Sequence, residues 1–465
     1  MNKISNIRYK FLSNTLLFFA FFLIVSCDNS SIIDDKPTEE IEIKPEDKLP
    51  KIVVDTNNGV IVDEPKIPAT MIISEVGAIT YDGNIGIEFR GASSQTFPKK
   101  SYGLETWDAN NQDINVSLLG LPEEEDWILY GPYSDKSLMR NILIYDLSRD
   151  INMYASRSIF VDLTINNENQ GVYVFMEKLK RDKNRIDINK LNEDENSGED
   201  LTGGYILKID KTAGNSLGEG YNELNSFESN YQPPNSTIGQ KINFLYEYPD
   251  AEDITTEQKT YISSYIADFE DALAGNNFTD VNLGYATYID VPSFIDFFLL
   301  NELSNNVDAY RLSTFMYKDK NGKLKMGPIW DFNLAFGNAN YCGGGDTDVW
   351  AYKFNERCPE DYWQIPFWWD RLMQDPAFVS QLKQRWTMLR TGAFSEASIF
   401  SKIEGYRTAL TKAGAIEENF KIWEILGVYL WPNNFVGDTY NEETDYLKDW
   451  VTARLIWMDG AINSL

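Results

Sequence analysis

The sequence predicts an α+β fold, with a β-rich N-terminal part followed by a mostly helical C-terminal part. Two patterns predict it. Short β-rich runs separated by turn residues fill residues 49–107 and recur over 159–177. From about residue 255 the apolar residues change to helical spacing, and the last hundred residues are again mostly helical and rich in tryptophan. An aromatic content of 14% provides for a substantial core.

Each element follows from local signals. Lys51–Asp55 and Ala69–Ser74 are short strands, residues 85–89 alternate and end at Arg90-Gly91, and Tyr102 and Leu104 continue an alternating strand after Pro98. A helix is expected over 135–151, capped by Ser134 or Asp135, with Leu138, Ile142 and Tyr145 on helical spacing. Strands at 159–165 and 171–177 flank an Asn166-Asn167 turn, and 192–200 reads as a polar loop. Thr255 and Gln258 have capping-box spacing ahead of the stripe Tyr261, Ile262, Tyr265, Ile266, Phe269 and Leu273. Asp290 caps the next helix with Pro292 in its first turn. That helix, over 291–303, is apolar nearly all round and should be buried. Ser313–Lys318 and Lys323–Ile329 then form a hairpin around Asn321-Gly322.

The N-terminus has the layout of an export signal. Lys3, Arg8 and Lys10 precede a ten-residue apolar run, Leu16 to Val25, too short to span a bilayer. Cys27 directly after Val25-Ser26 resembles a lipobox, in which Cys27 is lipidated and becomes the first mature residue. A plain secretory signal or an N-terminal membrane anchor is the alternative. Asp28 to Asp47 holds eight acidic residues, two lysines, two prolines and no aromatics, so it reads as a solvated tether. Three segments are therefore expected: signal peptide 1–26, lipidated Cys27 with its tether to 47, and a folded domain over 48–465. Such a chain would sit outside the cytoplasm in the cell envelope, held to the lipid bilayer through Cys27, at the outer membrane or cell surface.

Composition excludes several functions. Residues 1–26 carry three basic groups and no acid, so their removal takes the net charge from −29 to −32. That surface repels nucleic acid. There are no histidines, which removes Ser-His-Asp triads, Cys-His pairs and histidine-ligated metals. With Cys27 used for the anchor, Cys342 and Cys358 remain and read as a disulfide closing a loop. Any catalysis must run on carboxylates, lysines, arginines and hydroxyls, and any metal should be a hard ion held by oxygen.

One constellation carries chemistry. Asp308 lies just before the first strand of the 313–329 hairpin and Asp331 just after the second, so both carboxylates arrive at the same end, beside the buried helix. Two carboxylates so placed can divide phosphoryl transfer, one accepting a proton and one holding a metal that bridges nucleotide phosphates. Each can instead simply cap a turn.

The segment Phe89-Arg-Gly-Ala-Ser-Ser-Gln-Thr-Phe-Pro-Lys-Lys-Ser-Tyr102 resembles the signature of the CotH family, spore-coat-protein-H-like atypical kinases. Asp135 to Asn141, Gly171 to Glu177, Gly203 to Asp210 and Pro328 to Gly337 are similar to further family motifs in the same order, over roughly residues 49–460. The resemblance implies a divergent, two-lobed protein-kinase-like domain with ATP and magnesium or manganese between the lobes. It implies Asp308 as the catalytic aspartate and Asp331 as a metal ligand, with Asn333 where many relatives carry a second aspartate. Arg90, Ser93 and Ser94 would shape the phosphate loop, and Lys99 or Lys100 would reach the phosphates. Glu177 and Lys208 are further candidates, with a structural salt bridge as the alternative for each. The implied activity is phosphate transfer from ATP to Ser/Thr of an envelope or surface protein. The alternative is a surface lipoprotein that keeps the fold as an adhesion, assembly or glycan-binding module. Trp350, Trp363, Trp368 and Trp369 are the aromatic candidates for that role, against ordinary core packing.

Overall fold

The computed structural model describes residues 45–212 and 220–465. The segments read above as a signal peptide, a lipidated Cys27 and a tether lie, up to residue 44, outside the described residues. Pro45–Asp47, where the expected tether ends, forms a short 3-10 turn.

Seven N-terminal strands close into a barrel. In chain order they are β1 (Lys51–Asp55), β2 (Ile67–Glu75), β3 (Ala78–Arg90), β4 (Ser101–Trp107), β5 (Asp126–Tyr130), β6 (Ser158–Ile165) and β7 (Glu168–Glu177). Around the barrel the order is β1-β2-β3-β4-β5-β7-β6, and a parallel β1–β6 pairing completes the ring, with Val53 opposite Thr164. Alternation explains the interior: Ile52 and Val54, Met71 and Ile73, Ile85 and Ile87, and Trp127 and Leu129 point inward and pack as one core. Closure removes the exposed strand edges that an open sheet would have to protect. The β6–β7 turn uses Asn166 and Asn167, both at positive φ (50° and 67°), the conformation a two-residue hairpin needs.

Between β5 and β6 runs helix α1 (Arg140–Asp150). It begins five residues later than the sequence suggests. Asp135 does not cap as a first-turn residue. Its carboxylate accepts from the Arg140 backbone N–H (2.9 Å) and the Arg140 guanidinium, so it closes the irregular turn that leads into the helix.

A second, five-stranded antiparallel sheet follows, from β8 (Tyr205–Ile209), β9 (Ser226–Glu228), β10 (Asn243–Tyr248), β11 (Thr314–Lys318) and β12 (Leu324–Met326), in the order β12-β11-β8-β10-β9. Against it packs a helical body: α2 (Thr256–Ala274), α3 (Val291–Ser304), the short α4 (Phe354–Arg357) and α5 (Trp368–Leu372), then α6 (Pro376–Arg390), α7 (Glu396–Lys412), α8 (Ala415–Ile422) and α9 (Tyr440–Asn463). Thr255 and Gln258 form the capping box of α2, and Asp290 caps α3 through the Ser293 N–H. Helix α3 is buried along most of its length at the centre of the larger core. No described helix is long and apolar enough to cross a membrane.

The α+β class and its order, strands first and helices later, hold. The barrel is the feature the local patterns do not contain, because β1 and β6 are a hundred residues apart. Cys342 and Cys358 are bonded, as their isolation in the sequence suggests. Trp368 and Trp369 are fully buried against α3 aromatics and Tyr310, and Trp350 packs on Phe298 and Trp457, so these three are packing residues.

Candidate active site

Asp308 is set by the end of α3. Asn305 terminates that helix in the left-handed region (φ 40°), a conformation asparagine tolerates, and its amide ties down the carbonyls of Gly343 and Asp346. The Asn306 side chain then accepts from the Asp308 N–H (3.2 Å). The Asp308 carboxylate accepts from the Arg311 guanidinium (2.8 Å) and the Tyr341 hydroxyl (3.4 Å). Arg311, buried over the Phe354 ring, continues to Asp361 (3.2 Å).

Asp331 is set by α1. Tyr145 stacks on Trp330, its hydroxyl accepts from the Asp331 N–H (3.2 Å), and Asn141 accepts from the Phe332 N–H (2.7 Å). Asp331 is held at φ 63°, and Tyr310, Ser313 and Phe336 nearby in sequence also have positive φ. Strained backbone of this kind costs on the order of 1–3 kcal/mol per residue and persists where the surrounding packing enforces it, often at functional sites.

The electrostatics bring further groups into the same cleft. Protein crowds Asp331, and Asp308 and Asp210 stand close by; together they push its carboxyl up to about 7, while Arg90 and Lys211 pull it back. The residue nevertheless keeps an exposed surface, so water enters and tempers the effect. Arg90, at the end of β3, lies over the Trp330 ring at 5.1 Å; burial lowers its pKa, and Asp331 offsets part of that. Lys208 on β8 pairs with Glu247 at 2.7 Å. Burial works against its charge, but Glu247 and Asp210 more than compensate, so its pKa is raised. Glu247 occupies the irregularity where the β8–β10 register shifts between Tyr246 and Tyr248, a bulge that re-aims a side chain next to a site. Asp210 accepts from the Lys211 N–H (2.8 Å); burial raises its pKa, opposed by Lys208.

The other sequence candidates fall in different places. Ser93 and Ser94 begin the short 3-10 turn Ser93–Thr96 that directly follows Arg90. Gly91 allows this turn: its φ is 99°, and a Cβ there would collide with the Ser94 hydroxyl. Lys99 does not face the cleft. Its ammonium is buried between the Val172 carbonyl (2.6 Å) and Asn419 of α8 (2.8 Å), where burial holds its pKa well below the ordinary value. Lys100 folds back onto the Gln95 carbonyl of its own loop. Glu177 is buried with Arg157 (2.6 Å) and Arg185 (4.0 Å), so it belongs to a closed ion cluster rather than to Lys208. Asn333 is half-buried two residues after Asp331, its carbonyl accepting from Asn338 (2.8 Å). Asp210 and Glu247 are the residues that sequence reasoning missed. The two-residue spacing of Lys208, on β8, and Asp210, just past its end, was the available signal for the first.

The donors near Asp331 are oxygens, the type a hard divalent cation takes. Asp331 offers carboxylate oxygens to which, among the described residues, no group donates a hydrogen bond, and Asp308 and Asp210 lie near enough to raise its pKa, but the three carboxylates do not bring their oxygens within 4.8 Å of one another. Among the described residues the three carboxylates that do converge so closely are Glu124, Glu125 and Asp126, and there the Lys180 ammonium sits among them at 2.8, 2.6 and 2.7 Å. Two recesses of about 220 and 360 Å³ open elsewhere, around Glu270 and around Tyr362, and neither is lined by Asp308 or Asp331. The cleft is thus identified by its chemistry rather than by its volume.

The family model described as CotH kinase protein matches residues 87–458, most of the chain. The chain belongs to the CotH kinase protein family. Inner spore coat protein H of Bacillus subtilis (strain 168) is 28% identical over 119 residues, covering 26% of this chain and 29% of that protein. The chain thus matches under a third of this relative's length.

Proposed function

We propose that this CotH-family protein is an extracytoplasmic phosphotransferase that moves a phosphoryl group from ATP to Ser/Thr of an envelope or surface protein. The observation that carries the reading is the meeting of Asp308, Asp331 and Asp210 with Arg90 and Lys208 in one cleft of a CotH-family chain. In this reading the barrel and the helical body serve as the two lobes of a divergent kinase-like fold, and Cys27 anchors the domain to the bilayer.

Asp308 takes the proton of the acceptor hydroxyl, whose oxygen forms the new bond to phosphorus as the bond to ADP breaks. Arg311 and Tyr341 keep that carboxylate oriented. Lys208, steadied by Glu247, and Arg90, steadied on Trp330, offer positive charge to the phosphates. Asp331 and Asp210, with Asn333 beside them, would hold magnesium or manganese, which neutralises charge on the phosphates when bound.

The test is thermal stability of the purified protein with ATP and magnesium or manganese. A ligand at about a hundred times its dissociation constant adds roughly 2.7 kcal/mol. A clear rise that disappears in Asp331→Ala supports the reading. No rise with any nucleotide and metal would sink it and leave the fold as a binding module.

A further inference from the structure

Trp431 alone among the twelve tryptophans is exposed, with 59% of its surface in water. It is not loose. Its ring stacks on Tyr341 (centroids 5.9 Å apart, planes 11° apart), and Tyr341 is the residue whose hydroxyl meets Asp308 at 3.4 Å. The backbone under it is pinned: the Asn340 N–H donates to the Pro432 carbonyl (2.9 Å), and Asn433, fully enclosed, donates to the Ser134 carbonyl (2.7 Å). A rigid, exposed tryptophan beside a catalytic cleft is a surface made for a ligand.

The chemistry of the surroundings narrows the ligand. In a chain where 24% of residues are charged, the two segments that build this ledge carry none: 332–345 and 425–437. They join at the Ala339–Asn433 bridge. The rim carries neutral hydrogen-bonding groups, the exposed Asn340 and Asn434 amides and the Tyr429 hydroxyl, which accepts from Asn340 (3.0 Å). The negative face of an aromatic ring attracts positively polarised C–H groups, and amides and hydroxyls both donate and accept. Flat apolar face and neutral polar rim together match a pyranose ring, which has an axial C–H face and a hydroxyl edge.

We infer that the Trp431–Tyr341 ledge is a binding subsite for a neutral saccharide. A sugar on the ledge lies on the Asp308 side of the cleft. It follows, resting on the proposed phosphotransfer, that the acceptor is presented by a glycan or a glycosylated chain.

The experiment is binding of the purified protein, without nucleotide, to a panel of neutral oligosaccharides built from glucose, galactose, mannose, xylose or N-acetylglucosamine. Uncharged Ser/Thr peptides serve as the comparison. Quenching of tryptophan fluorescence gives the dissociation constant. The expected result is saturable binding to at least one oligosaccharide, weakened tenfold or more in Trp431→Ala and less in Trp431→Phe, with the thermal midpoint unchanged. An empty panel, binding untouched by Trp431→Ala, or a preference for the peptides overturns the inference. Because no nucleotide is present, these outcomes are independent of the ATP and metal test.

Discussion

Around Glu302, on the buried helix α3, both carboxylate oxygens are saturated. They accept from the Ala351 N–H (2.7 Å), the Tyr352 N–H (2.8 Å) and the Tyr310 hydroxyl (3.0 Å), and Arg454 adds an ion pair at 3.3 Å. Arg454 is itself completed by the Thr347 and Val349 carbonyls. Around Asp331 the charges gather but do not close: Arg90 rests on a tryptophan, Lys208 pairs with Glu247, and the Asp331 carboxylate stays open to the cleft. A charge buried for structure must be fully paired, because an unpaired one is costly. The open arrangement stores unmet electrostatic demand that a cation and phosphates can satisfy. One cluster holds the disulfide-bearing segment onto α3; the other is where the proposed function puts the cation and phosphates.

That contrast is broken most severely at the cleft. Asp308→Asn keeps the size of the side chain and its contacts with Arg311 and Tyr341 but removes the proton acceptor. Transfer of labelled phosphate should fall by about 10²–10⁴-fold, while the stabilisation by ATP and metal persists. Undiminished transfer would remove Asp308 from the reaction.

The saturated cluster predicts a different loss. Arg454→Met leaves Glu302 charged and enclosed, and should cost about 3–5 kcal/mol in urea unfolding, with no specific effect on nucleotide affinity once folded protein is compared. A cost below about 1 kcal/mol, the range of a surface pair, would mean that the two clusters do not differ in kind.

Lys99 and Lys208 sharpen the comparison at the level of one side chain. Lys99→Met strands the Val172 carbonyl and Asn419, at about 1–3 kcal/mol, and should leave the nucleotide-dependent rise intact. Lys208→Met should abolish that rise at little cost in stability. The reverse pattern would return the phosphate contact to Lys99.

These two lysines also mark where the sequence was legible. The capping box at Thr255, the Asn166-Asn167 turn and the Asp308–Asp331 hairpin arrangement are local, and local signals identified them. Lys99 was ambiguous because its surroundings come from Asn419, more than three hundred residues away. The partner of Lys208 was hidden for a related reason: Glu247 meets it through a bulge, and alternation does not announce a bulge. The barrel's closing pair, β1 with β6, is parallel and nonlocal, so no turn encodes it.

A pH series tests whether buried acids outside the cleft behave as structure alone. Glu270 is almost fully buried, accepting from the Ser229 hydroxyl (2.8 Å) and the Trp368 indole (2.8 Å). Burial pushes its carboxyl up to about 7, against the opposing effect of those hydrogen bonds. The folded state therefore keeps a proton that the unfolded chain releases near pH 4.5, the ordinary glutamate value. Between pH 4.5 and 7 the folded state binds more protons, so this group's contribution to stability falls as pH rises and levels off above 7. Glu270→Gln removes the titration. Relative to the native protein, the variant should gain on the order of 3 kcal/mol between pH 4.5 and 8, with most of the gain below pH 7. Urea unfolding at pH 4.5, 6 and 8 measures it. A difference that stays flat across the series would place Glu270 ionised in the core, and its two hydrogen bonds would then count as full charge-compensating partners like those of Glu302.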